Sequence, residues 1–224
     1  MLMVRPTRNL AILQAPPPVS VPAGRKPTLM SVGLGIAVAG LVLASPPTDR
    51  LAPLLGAAIY LLLAIEYDVR SLRIPNWLNA AGILGAFLMA AWLGGLPGFA
   101  AALAGAGTAL AVGFTLFALG IIGAGDAKGL PVLGALFGAS ALPGLLWWMA
   151  ILAGALGVAL IIARGEGLEF LRRWSIMARG FLTTRTLVYL APARESAAAS
   201  GLPFAIPMGL GTAAHQLWGT PWTG

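Results

Sequence analysis

The sequence predicts an all-α fold, a polytopic bundle of about seven transmembrane helices. Hydrophobic residues make up 58% of the 224 residues and charged residues only 9%, whereas a soluble domain carries about 25% charged residues. The mean hydropathy is +0.88, and the apolar residues are gathered into long runs between short polar segments. This composition is typical of a protein that lies largely within a lipid bilayer.

Seven apolar runs account for these helices. A transmembrane helix needs about 20 residues to cross roughly 30 Å of hydrocarbon, and several runs are shorter, so the prediction allows about six to eight spans. The uncharged sequence GGLPG, residues 94–98, forms a turn between the third and fourth runs, and Pro143 with Gly144 turns the chain between the fifth and sixth. The runs cover about residues 29–44, 53–67, 77–93, 99–122, 130–142, 145–163 and 202–218.

This pattern divides the chain into four segments. Residues 1–28 are proline-rich and basic and have no long apolar core, which predicts a cytoplasmic tail rather than a signal peptide. A transit peptide fits less well, because three consecutive prolines would interrupt its helix. Residues 29–163 form the transmembrane core, residues 164–200 a cytoplasmic segment, and residues 201–224 the last transmembrane helix and the C-terminus.

The cytoplasmic segment of residues 164–200 is rich in arginine. Its apolar residues, among them Leu171, Trp174 and Phe181, recur at helical spacing. This pattern favours a basic amphipathic helix on the membrane surface. A partly ordered loop is the alternative interpretation.

The positions of the basic residues favour a cytoplasmic N-terminus. With seven spans, this orientation places every Lys and Arg except Arg50 on the cytoplasmic side, as the positive-inside rule requires. The formal net charge of +7 is therefore attributed to cytoplasmic loops, and no nucleic-acid partner is predicted from it. The same orientation puts Asp68 and Asp126, which come from different helical hairpins, at one face of the membrane.

Three of the seven acidic residues lie near helix ends at this face: Glu66, Asp68 and Asp126. Two carboxyl groups in a poorly solvated site cannot both ionise easily, so such a pair can share one proton. The ionised member can take a proton from water while the protonated member polarises a carbonyl or protonates a leaving group. This is aspartic-protease chemistry. It needs no metal or other cofactor, and it needs no cysteine, which the chain lacks.

Each of these residues also has a simpler interpretation. Asp126 could cap the helix that follows it, and Glu66 could pair with Arg70 one helical turn later. Lys128 either tunes Asp126 or binds lipid phosphate, and the second role is slightly favoured. Two acids at one face, one of them within GAGD, nevertheless favour a site. The glycines around Asp126 would let a substrate backbone or a neighbouring helix approach.

The sequence DVRSLRIPN, residues 68–76, is followed downstream by GAGDAK, residues 123–128. Together they resemble the motifs of the type IV prepilin peptidases, which are GxGD-type membrane aspartyl proteases. In that family one catalytic aspartate lies several residues ahead of an IPN-like motif, and the other is the aspartate of GxGD. The resemblance therefore implies Asp68 and Asp126 as catalytic residues. It implies supporting roles for Gly123, Gly125, Lys128, Pro75 and Asn76.

The resemblance is looser in the last apolar run. LPFAIPMG, residues 202–209, resembles a proline-aromatic-glycine sequence of the family, but Ala205 stands where the glycine would be. No function is carried over to this stretch.

The resemblance also implies an activity and a location. The protein would be a multi-pass enzyme of the bacterial cytoplasmic (inner) membrane that cuts the basic leader from prepilins and pseudopilins, after a glycine at the cytoplasmic face. Without cysteine, and without room for a cysteine-bearing domain between its first spans, the chain looks like the small, peptidase-only type of Flp or tight-adherence pili. Methyltransferase activity is not expected. The expected partners are the substrates and membrane lipid, and homo-oligomers are left open.

Two other functions compete with a peptidase. A proton- or cation-coupled transporter could use the same acids as a relay, but it would need polar residues along a path through the bilayer, and the apolar runs hold few. A non-catalytic scaffold of a secretion or pilus assembly would use neither aspartate for chemistry.

Overall fold

The computed structural model describes residues 29–44, 51–185 and 203–220, and within these ranges the protein is all-α, with helices and no strands. The fold class predicted from the sequence is thus confirmed. A short 3-10 turn, Ala139–Ala141, precedes α5. The helices are α1 (Leu29–Leu43), α2 (Leu51–Ser71), α3 (Asn76–Ala118), α4 (Ala124–Phe137), α5 (Leu142–Ala163), α6 (Gly167–Thr184) and α7 (Ala205–Trp218).

Three of the described helical stretches are long and apolar enough to cross a membrane: Leu51–Ser71, Asn76–Ala118 and Ala139–Ala163. Helix α1 has 15 residues, and α4 and α7 have 14 each. These three are shorter than the roughly 20 residues that a perpendicular span requires. The protein is therefore a helical membrane protein, while the number of seven spans stays a prediction.

Helix α3 is a helical hairpin with two arms, residues 76–94 and 96–118. Its backbone leaves helical geometry at Gly95, where φ is 59° and ψ is −149°. The rings of Phe87 and Phe99 lie 5.5 Å apart, whereas a straight helix would separate these residues by about 18 Å. The chain therefore reverses within GGLPG, as the sequence predicted. A positive φ suits Gly95, which has no Cβ to clash with the backbone.

Helix α4 packs against the second arm of α3 with almost no side chain between the two backbones. A Cβ at Gly105 would overlap the backbone of Gly134, and a Cβ at Gly134 would overlap that of Gly105. A Cβ at Gly113, further along the same arm of α3, would likewise lie too close to the carbonyl oxygen of Ala127. Small residues therefore let α3 and α4 approach closely, a packing mode common between membrane helices.

We expect Gly105→Ala to destabilise the protein and Gly107→Ala to leave it as stable or slightly more so. Both positions lie in the second arm of α3, but nothing lies within 4 Å of a Cβ at Gly107. Overpacking costs about 1–3 kcal/mol, whereas alanine improves helix propensity by about 1 kcal/mol. Thermal unfolding in detergent measures the difference. Equal midpoints for the two variants would contradict the close approach of α3 and α4.

The structure corrects two boundaries. The fifth helix was predicted to begin near residue 130, but α4 begins at Ala124, so Asp126 and Lys128 lie in its first turns. Pro143 and Gly144 were predicted to turn the chain, but they lie within the first turn of α5. The turn instead occurs at Gly138, where φ is 81°. A proline in the first turn lacks only an N–H that the helix would leave unpaired.

Helix α6 lies within the segment that was predicted to hold an amphipathic helix. Its apolar side chains are largely exposed, Leu168 at 83% and Leu171 at 64%. The remainder of that segment, residues 186–200, lies outside the described residues, as do the predicted tail of residues 1–28 and the loop at residues 45–50. The predicted four-segment division therefore stays a prediction.

Helix α7 is packed in the interior, between α1, α2 and α5. A Cβ at Gly209 would meet Val38 of α1, and one at Gly211 would meet Met149 of α5. The helix begins only at Ala205, two residues after Pro203. This position brings the first backbone N–H groups of α7 beside the end of α2.

Candidate active site

The polar strip DVRSLRIPN forms the last turn of α2, a tight connection and the start of α3. The connection turns at Leu72, where φ is 51°, and the Leu72 N–H donates to the Asp68 carbonyl (2.8 Å). Pro75 then adopts an extended conformation (φ −61°, ψ 140°) and is the N-cap of α3. Its carbonyl accepts from the N–H groups of Leu78 and Asn79. The motif therefore fixes where α3 begins relative to Asp68.

Asp68 is buried, with only 3% of its surface exposed. Its Oδ2 accepts a hydrogen bond from the backbone N–H of Ala205, the first residue of α7 (2.8 Å). The unpaired N–H groups of a helix N-terminus carry a partial positive charge, which stabilises a carboxylate. The last apolar run, to which the sequence assigned no function, therefore supplies the hydrogen-bond partner of Asp68.

Asp126 lies in the first turn of α4, ahead of the apolar part of that helix. Its Oδ2 accepts a hydrogen bond from the backbone N–H of Gly123 (3.2 Å). The capping role left open by the sequence is therefore present, because the carboxylate satisfies a backbone donor at the start of its own helix.

Burial raises the pKa of Asp126 to about 7. The nearby charge of Asp68 adds to this rise, and the hydrogen bond from Gly123 opposes it. Burial and a neighbouring like charge both disfavour the ionised form of a carboxyl group, so Asp126 holds its proton more readily than an exposed aspartate does. The two aspartates, from α2 and α4, thus lie close enough for the charge of Asp68 to act on Asp126.

The phenol of Tyr60 lies in the same region. It is within electrostatic range of both carboxyl groups, and a Cβ at Gly129 would lie 2.8 Å from its hydroxyl oxygen. The Tyr60 hydroxyl donates to Oδ1 of Asn79 (2.8 Å). Tyr60 and Asn79 carried no motif and were not identified from the sequence. Their polar atoms matter only because the fold buries them next to the pair.

The supporting residues predicted from the resemblance are also brought together. A Cβ at Gly125 would lie 3.6 Å from the backbone nitrogen of Ile74, so the GAGD stretch contacts the IPN stretch. Lys128 Nζ donates to Asn76 Oδ1 (3.2 Å). This contact tests neither role considered for Lys128, so the tuning of Asp126 and the binding of lipid phosphate both stay predictions.

Glu66 lies two residues before Asp68 but forms an ion pair with Arg70, one turn later, which is the simpler of the interpretations left open by the sequence. Over the described ranges, no group of three or more His, Cys, Asp or Glu side chains is arranged to hold a metal ion. The ionisable groups that form the candidate site are the carboxyl groups of Asp68 and Asp126, and the pKa of Asp126 is raised.

Two aspartates from separate helices thus lie near the ends of those helices in an all-α membrane protein.

The comparisons with known proteins point to a peptidase. Residues 54–158 match the type IV leader peptidase family, and this stretch contains both aspartates. Over this core the chain is therefore similar to the type IV leader peptidase family, as its two motifs predicted. No curated protein and no solved structure matches the chain.

Proposed function

We propose that this protein cleaves the basic N-terminal leader of type IV or Flp prepilins, after a glycine at the cytoplasmic face of the bacterial inner membrane. The observation that carries the proposal is the meeting of Asp68 and Asp126 inside the stretch that matches the leader peptidase family. Co-expression with a prepilin tests it, because leader removal increases the electrophoretic mobility of the pilin. An unchanged prepilin in the presence of the wild-type protein would overturn it.

The two carboxyl groups have different roles in the proposed hydrolysis. Asp68 acts as the base, since the N–H of Ala205 at the start of α7 stabilises its charged form. It takes a proton from water as the water oxygen attacks the carbonyl carbon of the scissile bond. Asp126, with its raised pKa, donates a proton to the carbonyl oxygen. The tetrahedral intermediate then collapses: the C–N bond breaks, one hydroxyl of the intermediate returns a proton to Asp126, and the leaving amine takes the proton held by Asp68.

The location of the pair suits such a substrate. A prepilin presents a cationic leader to the cytoplasm and an apolar helix to the bilayer. The pair lies where α2 ends and α4 begins, which the positive-inside rule assigns to the cytoplasmic boundary. It would therefore meet the junction between leader and helix.

Methylation of the new N-terminus is not part of this proposal. The chain has no cysteine, and its sequence leaves only residues 44–50 between α1 and α2 and residues 72–75 between α2 and α3. Neither connection can hold a folded domain. We therefore propose a peptidase without methyltransferase activity.

The pH dependence of cleavage follows from the pKa of Asp126. This aspartate must be protonated to act as an acid, and its pKa is raised to about 7. We expect kcat/KM to fall as pH rises above about 7, approaching tenfold per pH unit for a single ionisation. Rates measured in vesicles between about pH 6 and 9 test this. A rate that rises through this range would contradict the role of Asp126, and full recovery on return to pH 7 excludes inactivation.

A further inference from the structure

An apolar groove of about 500 Å³ lies between the two arms of α3 and α4, and we call it the α3–α4 groove. It follows the first arm from Asn76 to Phe87, eleven residues apart, which is about 16 Å along a helix. Leu103 and Leu110 line its other side, on the second arm. Both leucines are about half exposed, so the groove is open along its length.

The polar groups of the groove are gathered at one end. Asn76, Asn79 and Lys128 lie there, and the remaining lining residues are apolar. This end adjoins the candidate site, since Asn79 accepts a hydrogen bond from Tyr60, which lies within electrostatic range of both aspartates. A chain cut at the aspartate pair could continue directly into the groove.

Asn79 supplies an unused hydrogen-bond donor at this end. Its side chain is 4% exposed, and its Oδ1 is occupied by the Tyr60 hydroxyl. Its Nδ2 has no hydrogen-bond partner among the residues that the structure describes. A buried amide nitrogen without a partner is unfavourable unless something else supplies an acceptor.

A peptidase substrate brings such an acceptor. A helix must unwind around the bond to be cut, and its freed carbonyl oxygens need donors in a region with little water. The Asn79 amide is neutral, so it suits a neutral peptide carbonyl better than a lipid phosphate. The apolar remainder of the groove suits the hydrophobic side chains that follow.

We propose that the α3–α4 groove binds the apolar segment that follows the scissile bond, with Asn79 Nδ2 donating to a backbone carbonyl oxygen of its unwound part. This inference rests on the proposed function, and it names the surface that would hold the substrate. Asn79 is a binding residue in it and takes no part in proton transfer.

Disulfide crosslinking tests the location. The chain has no cysteine, so Leu103→Cys and Leu110→Cys each place a single thiol in the groove. Leu84→Cys and Leu88→Cys are matched controls on the first arm; both residues are exposed, and neither lines the groove. Each is introduced with Asp126→Asn to keep the substrate intact, and each is tested against a prepilin with one cysteine early in its apolar segment.

We expect several-fold more crosslinked product from the two groove positions than from the two controls. Equal crosslinking at all four positions, as a lipid-filled groove would give, would overturn the inference. Processing by the wild-type protein is measured in the same membranes. Processing without preferential crosslinking rejects the groove alone, whereas absence of processing rejects the proposed function and the groove together.

Kinetics test the role of Asn79. Asn79→Leu removes both the free Nδ2 donor and the Oδ1 that accepts from the Tyr60 hydroxyl. Tyr60→Phe removes only the hydrogen bond between the two side chains. We expect Asn79→Leu to raise KM about tenfold, the effect of one lost hydrogen bond to substrate. Tyr60→Phe should raise KM less than Asn79→Leu does, since it leaves Asn79 Nδ2 in place, with both variants accumulating normally in membranes. Equal changes in KM would show that Asn79 serves only the contact with Tyr60 and would overturn its assignment.

Discussion

Asp68→Asn and Asp126→Asn are each expected to abolish leader cleavage, lowering the rate by about a thousandfold or more. An amide at position 68 cannot accept a proton from water, and an amide at position 126 cannot donate one as a carboxylic acid does. The substitutions are close in size, so the packing of α2 and α4 should be preserved. Mobility of a co-expressed prepilin gives a first result, and rates in vesicles give the magnitude.

Glu66→Gln is the matched control for these variants. Glu66 is a carboxylate on α2, two residues before Asp68, but it pairs with Arg70. We expect this variant to process prepilin at nearly the wild-type rate. Normal processing by either aspartate variant, with the protein present in membranes at wild-type amounts, would exclude the proposed pair.

Gly123→Ala is expected to lower kcat by about tenfold, less than the roughly hundredfold loss that follows a 1 Å displacement of a catalytic group. Gly123 has φ −73°, which alanine adopts without strain. Its new Cβ would, however, lie 3.0 Å from Oδ2 of Asp126, so the carboxyl group must shift and weaken its hydrogen bond to the Gly123 N–H. Single-turnover rates with saturating substrate measure the effect.

Gly125→Ala separates this effect from a general need for glycine in the motif. The Cβ at position 125 would lie 3.6 Å from the Ile74 nitrogen, which is ordinary van der Waals contact. We expect a rate within about threefold of wild type for this variant. Equal losses of activity in the two alanine variants would show that Gly123 does not act by positioning the Asp126 carboxyl group.

The features of the fold that could be predicted from sequence are those recorded in local composition. The turn in α3 was predictable because GGLPG places glycine and proline between two long apolar runs. The start of α4 could not be predicted in this way. A run defined by hydropathy excludes charged residues, whereas the first turns of a helix accommodate Asp126 and Lys128. The aspartate in fact stabilises that turn through the Gly123 N–H.

The same distinction applies to the residues of the candidate site. Asp68 and Asp126 were identified because their side chains form recognisable motifs. The Ala205 N–H that hydrogen-bonds Asp68 was not, since a backbone donor has no residue type and a distant helix supplies it. Asn79 was missed because an asparagine in an apolar run is unremarkable until the fold buries its amide beside Tyr60.

The most direct measurement combines the purified protein in lipid vesicles with a purified prepilin and identifies the products by mass spectrometry. We predict two products, the basic leader ending in glycine and the mature pilin, and a pilin mass without an added methyl group. Both products should be absent with the Asp126→Asn variant. An intact prepilin after incubation with the wild-type protein, together with ion flux across the vesicles that depends on Asp126, would contradict the peptidase and support a transporter.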